Sequence, residues 1–357
     1  MRGLIVCWFS LFLSICAQGQ WSLEADPSAP KFCLQNFNAY GPIYAQGVAE
    51  RTSRMISELD VKPSCEVVHL QEVWNGGQTT QIEKGLKHRY HMSSPNKKAK
   101  IGLMTMVSGK VKEQSTFEFK VNHEGGLLDG VRKVFRVRKA FHVTKVDLGN
   151  FGESLYFLNT HLHPSSPSVR ITQLLDILNW RLHNQDLKWV LSGDFNADVV
   201  TFERRFVLAV LGVHDSMEQY LGHYPKEFCT YCHTNPLSWL RTSRVFDYIF
   251  YSNIGTRETR LKVVDGRVNL RGTPQRPLSD HYGVQMHFAL EPTVNLFSEQ
   301  LYEARKMQTL QVLEVARSIL QTQSGAEFQA YAHQLANMAQ QLKNRKGPYF
   351  EYFARFH

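Results

Sequence analysis

Short apolar runs that end in polar residues recur along the chain and predict β-strands. Runs of about four to eight residues are long enough for a buried strand and too short for a typical helix. Three segments between these runs carry apolar side chains every three or four positions, which indicates amphipathic helices. They are residues 45–60, a segment that Ser168 caps, and residues 201–211. The predicted strands are Lys31–Asn38, 65–70, 101–107, 116–121, 131–147, 155–159, 188–191, 247–251 and 283–290.

The pattern changes towards the C-terminus, where longer helical stripes replace the short runs. Residues 298–323 and 328–342 repeat apolar side chains at helical spacing, and residues 349–357 include five aromatic side chains. We expect residues 292–357 to form a helical extension that packs on a main domain at 20–291. Contact of this extension with a membrane surface is the alternative.

The N-terminus has the pattern of a secretory signal. Arg2 precedes an apolar run at residues 4–17, and Ala17 and Gly19 stand at the spacing of a cleavage site. The run is too short to span a bilayer comfortably. We therefore expect residues 1–19 to be removed and the protein to be secreted into the extracellular space or the periplasm.

Four cysteines remain in the predicted mature chain: Cys33, Cys65, Cys229 and Cys232. An even number in an oxidising compartment permits two disulfides. Cys229 and Cys232 are followed by His233, which suggests zinc, but one such pair without a second is weak evidence for a structural metal. At this pair we expect a local disulfide or free thiols.

The charge of the chain indicates an anionic partner. The formal net charge is +9 and the pI is about 9.2, so nucleic acid, acidic lipid surfaces and phosphorylated substrates would all be attracted. Basic residues concentrate at 97–100, 132–139 and 257–276. Such segments are most often solvated surface, and charge alone does not choose among these partners.

Polar side chains occupy several predicted strand ends. Gly193 allows a turn after the run at 188–191, and Asp194 and Asn196, two residues apart, can then point the same way. Alone, this stretch would be a solvated turn, because Gly, Asp and Asn are common turn residues. The same kinds of residue, however, follow other predicted strands or precede them: Asn38, Glu72, His161, Asp280 and His281.

These residue types suit the metal-assisted cleavage of a phosphate ester. A hard divalent cation takes carboxylate and amide oxygens as ligands, and a histidine serves as a base near neutral pH when a carboxylate holds its other nitrogen. Taken singly, Glu72 would be a surface acid, His161 or His281 a structural histidine and Asp247 a strand-entry cap. Their occurrence together favours a catalytic site.

Six short motifs occur in the order found in the endonuclease/exonuclease/phosphatase superfamily, which the chain resembles over about residues 31–290. The resemblance implies the DNase-I-like fold, an α+β four-layer α/β/β/α sandwich with the site at one edge, here with a C-terminal helical extension. The motifs are Asn36-Phe37-Asn38, Gln71-Glu72-Val73, Thr160-His161-Leu162, Gly193-Asp194-Phe195-Asn196, Asp247-Tyr248-Ile249-Phe250 and Ser279-Asp280-His281.

The resemblance also implies a metal site. Glu72 would be the main ligand of Mg²⁺, or of another divalent cation such as Mn²⁺ or Co²⁺, with support from Asn38 and Asp280. Asn36 competes with Asn38 for this role, and the strand alignment favours Asn38. Asp194 would hold a second metal or orient the attacking water.

Catalytic roles follow from the same resemblance. His281 would be the general base, oriented by Asp247, and His161 would stabilise the pentacovalent phosphate or protonate the leaving group. Asn196 would donate a hydrogen bond to the phosphate. Since neighbouring side chains of a regular strand face opposite sides, we expect Asp280 or His281 to lie at a turn.

Two details are similar to the neutral sphingomyelinase branch. One is Thr160-His161-Leu162 followed by Arg170 and Gln173, and the other is the stretch 234–237 ahead of Asp247, in which Asn235 would help to hold the phosphate. This similarity implies a secreted, Mg²⁺-dependent enzyme, expected to be a monomer, that splits sphingomyelin into ceramide and phosphocholine at a membrane surface. Residues 265–278 are polar and Arg-rich, so an apolar membrane-entry hairpin is not expected there.

A secreted nuclease is the alternative, because the basic segments would also follow a nucleic-acid backbone. A catalytically inactive binding module is disfavoured, because the residues that match catalytic motif positions are all present.

Overall fold

Two six-stranded β-sheets form the centre of the protein in a computed structural model, which describes residues 26, 28–61, 64–94, 101–123, 138–149, 151, 153–184, 188–253, 259–292 and 299–356. The first sheet has the strand order β11-β14-β1-β2-β4-β3. Its strands are β1 (Lys31–Asn38), β2 (Val67–Gln71), β3 (His91–Ser93), β4 (Met104–Val107), β11 (Thr259–Asn269) and β14 (Gly283–Pro292).

The second sheet has the order β5-β6-β7-β8-β10-β9. Its strands are β5 (Lys110–Glu118), β6 (Ala140–Asp147), β7 (Ser154–His161), β8 (Trp189–Asp194), β9 (His214–Asp215) and β10 (Asp247–Ser252). A short hairpin of β12 (Gly272–Thr273) and β13 (Arg276–Pro277) precedes β14.

Helices cover the outer faces of both sheets and complete the four predicted layers. The first sheet packs on α1 (Val48–Leu59) and α2 (Gly76–Leu86). Against the second sheet lie α3 (Pro167–Leu182), α4 (Phe202–Val210) and the C-terminal helices, while α5 (Ser216–Leu221) lies beside β10 and β11. The C-terminal helices are α6 (Glu299–Gln321), α7 (Ala326–Asn344) and α8 (Pro348–Phe353), with a 3₁₀ turn at Ala354–Phe356.

Apolar burial between the layers holds the sandwich together. Phe32, Phe157 and Met286 are almost wholly buried in the cluster between the two sheets. Because burial of such a side chain stabilises the fold by about 1.5–3 kcal/mol, this cluster fixes the two sheets against each other. The sandwich therefore sets the relative position of the strand ends at its edges.

Several sequence-based boundaries differ from the observed ones. The prediction missed α2, which begins with Gly76 and Gly77; Asn75 caps it by accepting from the backbone N–H of Gln78. Helix α3 is capped by Ser166 rather than Ser168, with Pro167 as its first residue. The strand expected at 116–121 starts earlier, at Lys110.

The cysteines form two disulfides, Cys33–Cys65 and Cys229–Cys232. The zinc alternative at Cys229 and Cys232 is therefore wrong, and so is the alternative of free thiols. His233 instead places its Nδ1 atom 2.8 Å from the hydroxyl of Ser243.

The C-terminal helices pack against α3 and α4, the helices that cover the outer face of the second sheet. The hydroxyls of Tyr349 and Tyr352 donate to the carbonyls of Val210 and Leu211, at 3.1 and 2.6 Å. Both side chains and that of Phe353 are buried. These three aromatic side chains therefore pack within the protein, and contact of the extension 292–357 with a membrane stays a prediction.

Some predictions lie outside the described residues, namely the signal sequence at 1–19, the basic segment at 97–100 and most of the basic segment at 132–139. Among the helices that the structure describes, none combines the length and the apolar character needed to cross a bilayer.

Candidate active site

Three strand ends of the second sheet meet at Asp194. In the parallel pair β7–β8, Asp194 lies beside His161, and in the antiparallel pair β10–β8 it lies beside Asp247. The first sheet reaches the same point, because the amide nitrogen of Asn38 donates to Oδ2 of Asp194 over 3.0 Å. The structure thus brings together the polar residues that the sequence placed at separate strand ends.

Gly193 makes the approach of β7 and β8 possible. A Cβ atom at this position would collide with the carbonyl oxygen of Thr160. Because a side chain is excluded here, β8 can run on to Asp194 directly beside the end of β7 at His161. Glycine at this position is therefore required by the close approach of two strands. The turn that the sequence predicted at Gly193 is wrong, since Gly193 lies within β8.

His281 is held by Asp247. Its Nδ1 atom lies 2.7 Å from Oδ2 of Asp247, and its Nε2 atom lies 3.7 Å from Oδ2 of Asp194. Burial lowers the pKa of His281, but the charges of Asp247, Asp194 and Asp280 outweigh it and hold that pKa well above its ordinary value. Nδ1 bonded to a carboxylate leaves Nε2 as the atom that exchanges protons.

His161 and Glu72 approach Asp194 from the other side. The Nε2 atom of His161 lies 3.4 Å from Oδ2 of Asp194 and 3.8 Å from Oε1 of Glu72. The two histidines therefore flank one carboxylate, each with its Nε2 atom towards it. This arrangement places two proton-carrying groups on either side of a common centre.

Asp280 and His281 lie in a bend before β14, so neither is constrained by strand alternation. Burial, together with the charges of Glu72 and Asp194, raises the pKa of Asp280 to about 7 against the opposing charge of His281. Burial likewise raises the pKa of Asp194 to about 6, with His281 again acting in the opposite direction. The acids of this pocket therefore repel one another.

The donor atoms fit a hard divalent cation. Asp194, Asp247 and His281 offer ligand atoms within 4.8 Å of one another, but Asp247 and His281 are bonded to each other. The acidic ligands that the sequence predicts, Glu72 and Asp280, lie near Asp194, since the charges of Glu72 and Asp194 both raise the pKa of Asp280. Carboxylate oxygens are the ligands that a hard cation prefers, and the ligand role of these acids stays a prediction. A cation among these acids would relieve the repulsion that raises the pKa of Asp194 and Asp280.

Asn38 and Asn36 differ in what they contact. Asn38 binds Asp194, and its amide oxygen accepts from the backbone N–H of Tyr40 at 3.0 Å. Asn36 is fully buried between the sheets, where its amide donates to the carbonyl of Gly193 and accepts from Gln71. Asn38 is thus the residue at the site, as the strand alignment predicted.

Asn196 and Asn235, the two residues predicted to hold the phosphate, bind backbone groups of neighbouring loops through their side chains. The backbone N–H of Asn196 donates to Oδ1 of Asp194, and its side chain donates to the carbonyl of Leu162 over 3.1 Å. Asn235 is buried and donates to the carbonyl of Ser279 while it accepts from the backbone of Leu237. In this state Asn235 joins two loops of the site, and its contact with phosphate stays a prediction.

Backbone strain concentrates at this edge of the sandwich. Among the described non-glycine residues, five have positive φ, and three of these are Tyr40, Glu72 and Asn196, with φ of 44°, 58° and 51°. Each follows the end of a strand that delivers a site residue. Conformations of this kind are costly and are typically found where geometry serves a function.

Sequence reasoning missed three neighbours of the site. Lys139 is buried, lies 5.9 Å from the ring of Trp74, and its charge lowers the pKa of Asp194. The ring of Tyr231 packs on that of His281 with centroids 5.0 Å apart. Lys139 precedes β6, the neighbour of β7, so only the strand order reveals that it lies near Asp194.

Several solved structures of low sequence identity share this fold. A protein described as an endonuclease/exonuclease/phosphatase from Bacteroides vulgatus is 16% identical, with a TM-score of 0.59 over 73% of this chain and 100% of that one. The structure of SmcL is 17% identical, with a TM-score of 0.54 over 72% and 99%. D. rerio TDP2 complexed with single strand DNA product is 20% identical, with a TM-score of 0.57 over 72% and 98%.

No curated protein matches the chain in sequence. The model of the endonuclease/exonuclease/phosphatase family, however, matches residues 36–281, which is more than half of the chain and contains the whole cluster around Asp194. The chain therefore belongs to the endonuclease/exonuclease/phosphatase family, whose enzymes hydrolyse phosphoester bonds and generally depend on a divalent metal.

Proposed function

We propose that this protein is a secreted, Mg²⁺-dependent phosphodiesterase of the sphingomyelinase type, which hydrolyses sphingomyelin to ceramide and phosphocholine. The observation that carries the proposal is the pair of histidines about Asp194, of which His281 is bonded to Asp247 at 2.7 Å. In-line hydrolysis of a phosphodiester requires a base for the attacking water, an acid for the leaving oxygen and acidic side chains that hold a metal ion.

His281 takes a proton from the attacking water at its Nε2 atom while Asp247 holds Nδ1. The water oxygen bonds to phosphorus, the bond from phosphorus to the ceramide oxygen breaks, and His161 gives that oxygen a proton. Asp194 lies between the two imidazoles and orients both. When bound by Glu72, Asp280 and Asp194, a divalent cation would neutralise the phosphate oxygens and reduce the negative field that raises the pKa of His281.

The loop after His161 supports the sphingomyelinase assignment. Gln173 accepts from the backbone N–H of His163 at 2.9 Å, and Arg170 donates to the carbonyl of His163 at 3.0 Å. Arg170 is itself paired with Glu203 in a buried ion pair. The residues of the sphingomyelinase-like pattern therefore act together, because they fix the backbone that follows His161.

Release of phosphocholine from sphingomyelin vesicles by the mature protein tests the proposal. We expect release with Mg²⁺, none with a chelator, and none from the His281→Ala variant. Plasmid DNA under the same conditions should stay intact. Cleavage of the plasmid without phosphocholine release would retain the phosphodiesterase chemistry and exclude the lipid substrate.

A nuclease is the second candidate. The net charge of +9 favours a polyanion, and a protein of similar fold was solved with a single-stranded DNA product. In that case, activity on DNA should fall steeply between about 50 and 200 mM salt, because each phosphate contact releases counterions. Hydrolysis of an uncharged-headgroup or zwitterionic lipid would not show that dependence.

A further inference from the structure

Large apolar side chains are exposed on two loops beside the candidate active site. Ile43 and Tyr44 are 75% and 73% exposed, and Trp239 and Leu240 are 77% and 43% exposed. We call these four residues the apolar rim. Single exposed apolar side chains are common on protein surfaces, but a group of four on adjoining loops beside a catalytic site marks an interaction surface.

The first loop of the rim starts at a site residue. Tyr40 donates its backbone N–H to Asn38, which binds Asp194, and Ile43 follows three residues later. The indole N–H of Trp239 donates to the hydroxyl of Tyr40 over 3.2 Å, although the two residues are 199 positions apart. The two loops therefore contact each other directly.

The second loop is joined to the opposite side of the site. The backbone N–H of Trp239 donates to the hydroxyl of Tyr231 over 2.6 Å, and the ring of Tyr231 packs on His281. Asn235 ties the same loop to the carbonyl of Ser279, next to Asp280. The apolar rim thus borders the pocket that contains the two histidines.

Buried Arg51 holds the first loop in place. Its guanidinium donates to the carbonyls of Ala39 and Tyr40, at 3.3 and 2.7 Å, and to that of Leu278 at 2.9 Å. It also donates to the carbonyl of Gln46. Since both ends of the loop are fixed, Ile43 and Tyr44 are presented to solvent by a constrained backbone.

Positive charge adjoins the apolar rim. Arg241 is exposed directly after Leu240, and exposed Arg271 lies 5.2 Å from the ring of Tyr282, the residue after His281. Aromatic and aliphatic side chains with adjacent arginines match the interface of a bilayer that contains anionic lipid, where indole rings sit at headgroup level and arginines meet phosphate. Single-stranded nucleic acid would use the aromatic rings for stacking but gives no role to Ile43 and Leu240.

We propose that the apolar rim docks the protein on a phospholipid bilayer that contains anionic lipid, with the catalytic pocket facing the headgroups. The inference names the partner of the proposed function and rests on it for the position of the substrate. Docking would set the pocket over lipid phosphates without extraction of a lipid into water. The sequence expectation that residues 265–278 are unsuited to membrane entry is compatible, since the rim uses other loops.

Vesicle binding tests the proposal directly. The probe is vesicles of phosphatidylcholine, sphingomyelin and about one fifth phosphatidylglycerol, sedimented with the mature protein in the presence of a chelator so that hydrolysis cannot occur. We expect the Ile43→Ser/Leu240→Ser variant to bind at least tenfold more weakly than the unchanged protein. The matched control is Met307→Ser/Val315→Ser, which removes two apolar side chains of 55% and 46% exposure from α6 and should bind normally.

The proposal would be overturned by no sedimentation of the unchanged protein, and equally by normal binding of the rim variant. A loss of single-stranded DNA binding in the rim variant, without a loss of vesicle binding, would also overturn it and assign the rim to nucleic acid. Because Ile43 and Leu240 are exposed, the variant should keep its thermal unfolding temperature, which excludes misfolding as the cause.

Activity separates this inference from the proposed function. With Mg²⁺, the ratio of vesicle hydrolysis to hydrolysis of the soluble diester bis(p-nitrophenyl) phosphate should fall at least tenfold in the rim variant. An unchanged ratio with normal sphingomyelin turnover would overturn the docking role and leave the proposed function standing. Rim-dependent vesicle binding without phosphocholine release would support docking and refute sphingomyelin as the substrate.

Discussion

Asp247 and His281, which are 34 residues apart in the chain, place a carboxylate oxygen 2.7 Å from the Nδ1 atom of the imidazole. This contact fixes the ring so that Nε2 faces Asp194. We expect Asp247→Asn to lower kcat by about 10²–10⁴, because an amide neither stabilises the imidazolium nor fixes its tautomer. Hydrolysis of bis(p-nitrophenyl) phosphate measures kcat, and NMR titration should show a lower pKa of His281.

The matched control for this prediction is Asp265→Asn, which removes an exposed carboxylate from β11. It should leave both kcat and the pKa of His281 unchanged. A normal kcat in folded Asp247→Asn protein would remove Asp247 from the orienting role.

Glu72 should hold the metal. We expect Glu72→Gln to weaken Mg²⁺ binding at least tenfold in calorimetry, because an anionic ligand is replaced by a neutral one. Activity should fall to background in this variant and in the unchanged protein treated with a chelator. Glu314→Gln, on the exposed face of α6, is the control. Unchanged Mg²⁺ affinity in Glu72→Gln would assign the ligand role to other acids of the pocket.

Gly193 should tolerate no side chain. In Gly193→Ala, the new Cβ would collide with the carbonyl of Thr160, so β7 and β8 must separate. We expect a loss of about 1–3 kcal/mol in the free energy of unfolding, the usual cost of overpacking, and a larger loss of activity because Asp194 is displaced. Gly76→Ala, where a Cβ meets nothing within 4 Å, should change stability by less than about 0.5 kcal/mol. Urea unfolding of both variants shows whether the loss of stability comes from the collision at residue 193 or from the replacement of glycine by alanine in general.

The strand ends that carry the candidate site residues could be predicted because a local sequence pattern indicates them. A short apolar run that stops at a polar residue indicates where a strand ends, so the end of β1 at Asn38 was predicted as observed. The strand predicted at 188–191 instead runs on to Asp194, because Gly193 allows close pairing with β7. Helix α2 was missed because Gly76 and Gly77 are poor helix formers, and its start depends on the cap at Asn75. Burial of one helix face then outweighs this weak propensity.

Contacts between distant residues could not be read from periodicity. The bond from Trp239 to Tyr40 spans 199 positions, and the four bonds from Arg51 satisfy loop carbonyls that have no sequence signature. Both depend on the completed sandwich, which brings loops of the two sheets together. The exposure of Trp239 likewise follows from packing, because the same residue type at Trp189 is fully buried.

Two buried histidines should make the fold sensitive to acid. Burial lowers the pKa of His69 to about 3, with a further contribution from His142, and burial lowers the pKa of His142 to about 4, whereas the ordinary value is 6.5. Between these values and 6.5 the unfolded chain binds protons that the folded protein does not, so stability falls as the pH falls through this window. Each histidine contributes a slope of about 1.4 kcal/mol per pH unit.

Urea unfolding at several pH values between about 5.5 and 4 measures this slope. We expect His69→Gln to reduce it by about 1.4 kcal/mol per pH unit, whatever the variant does to absolute stability at pH 7. His333→Gln, which changes an exposed histidine on α7, should leave the slope unaltered. Equal slopes in all three proteins would mean that His69 gains its proton without unfolding. The contact of its Nδ1 atom with the hydroxyl of Ser192 at 2.6 Å argues against this, because both side chains are wholly buried between the two sheets.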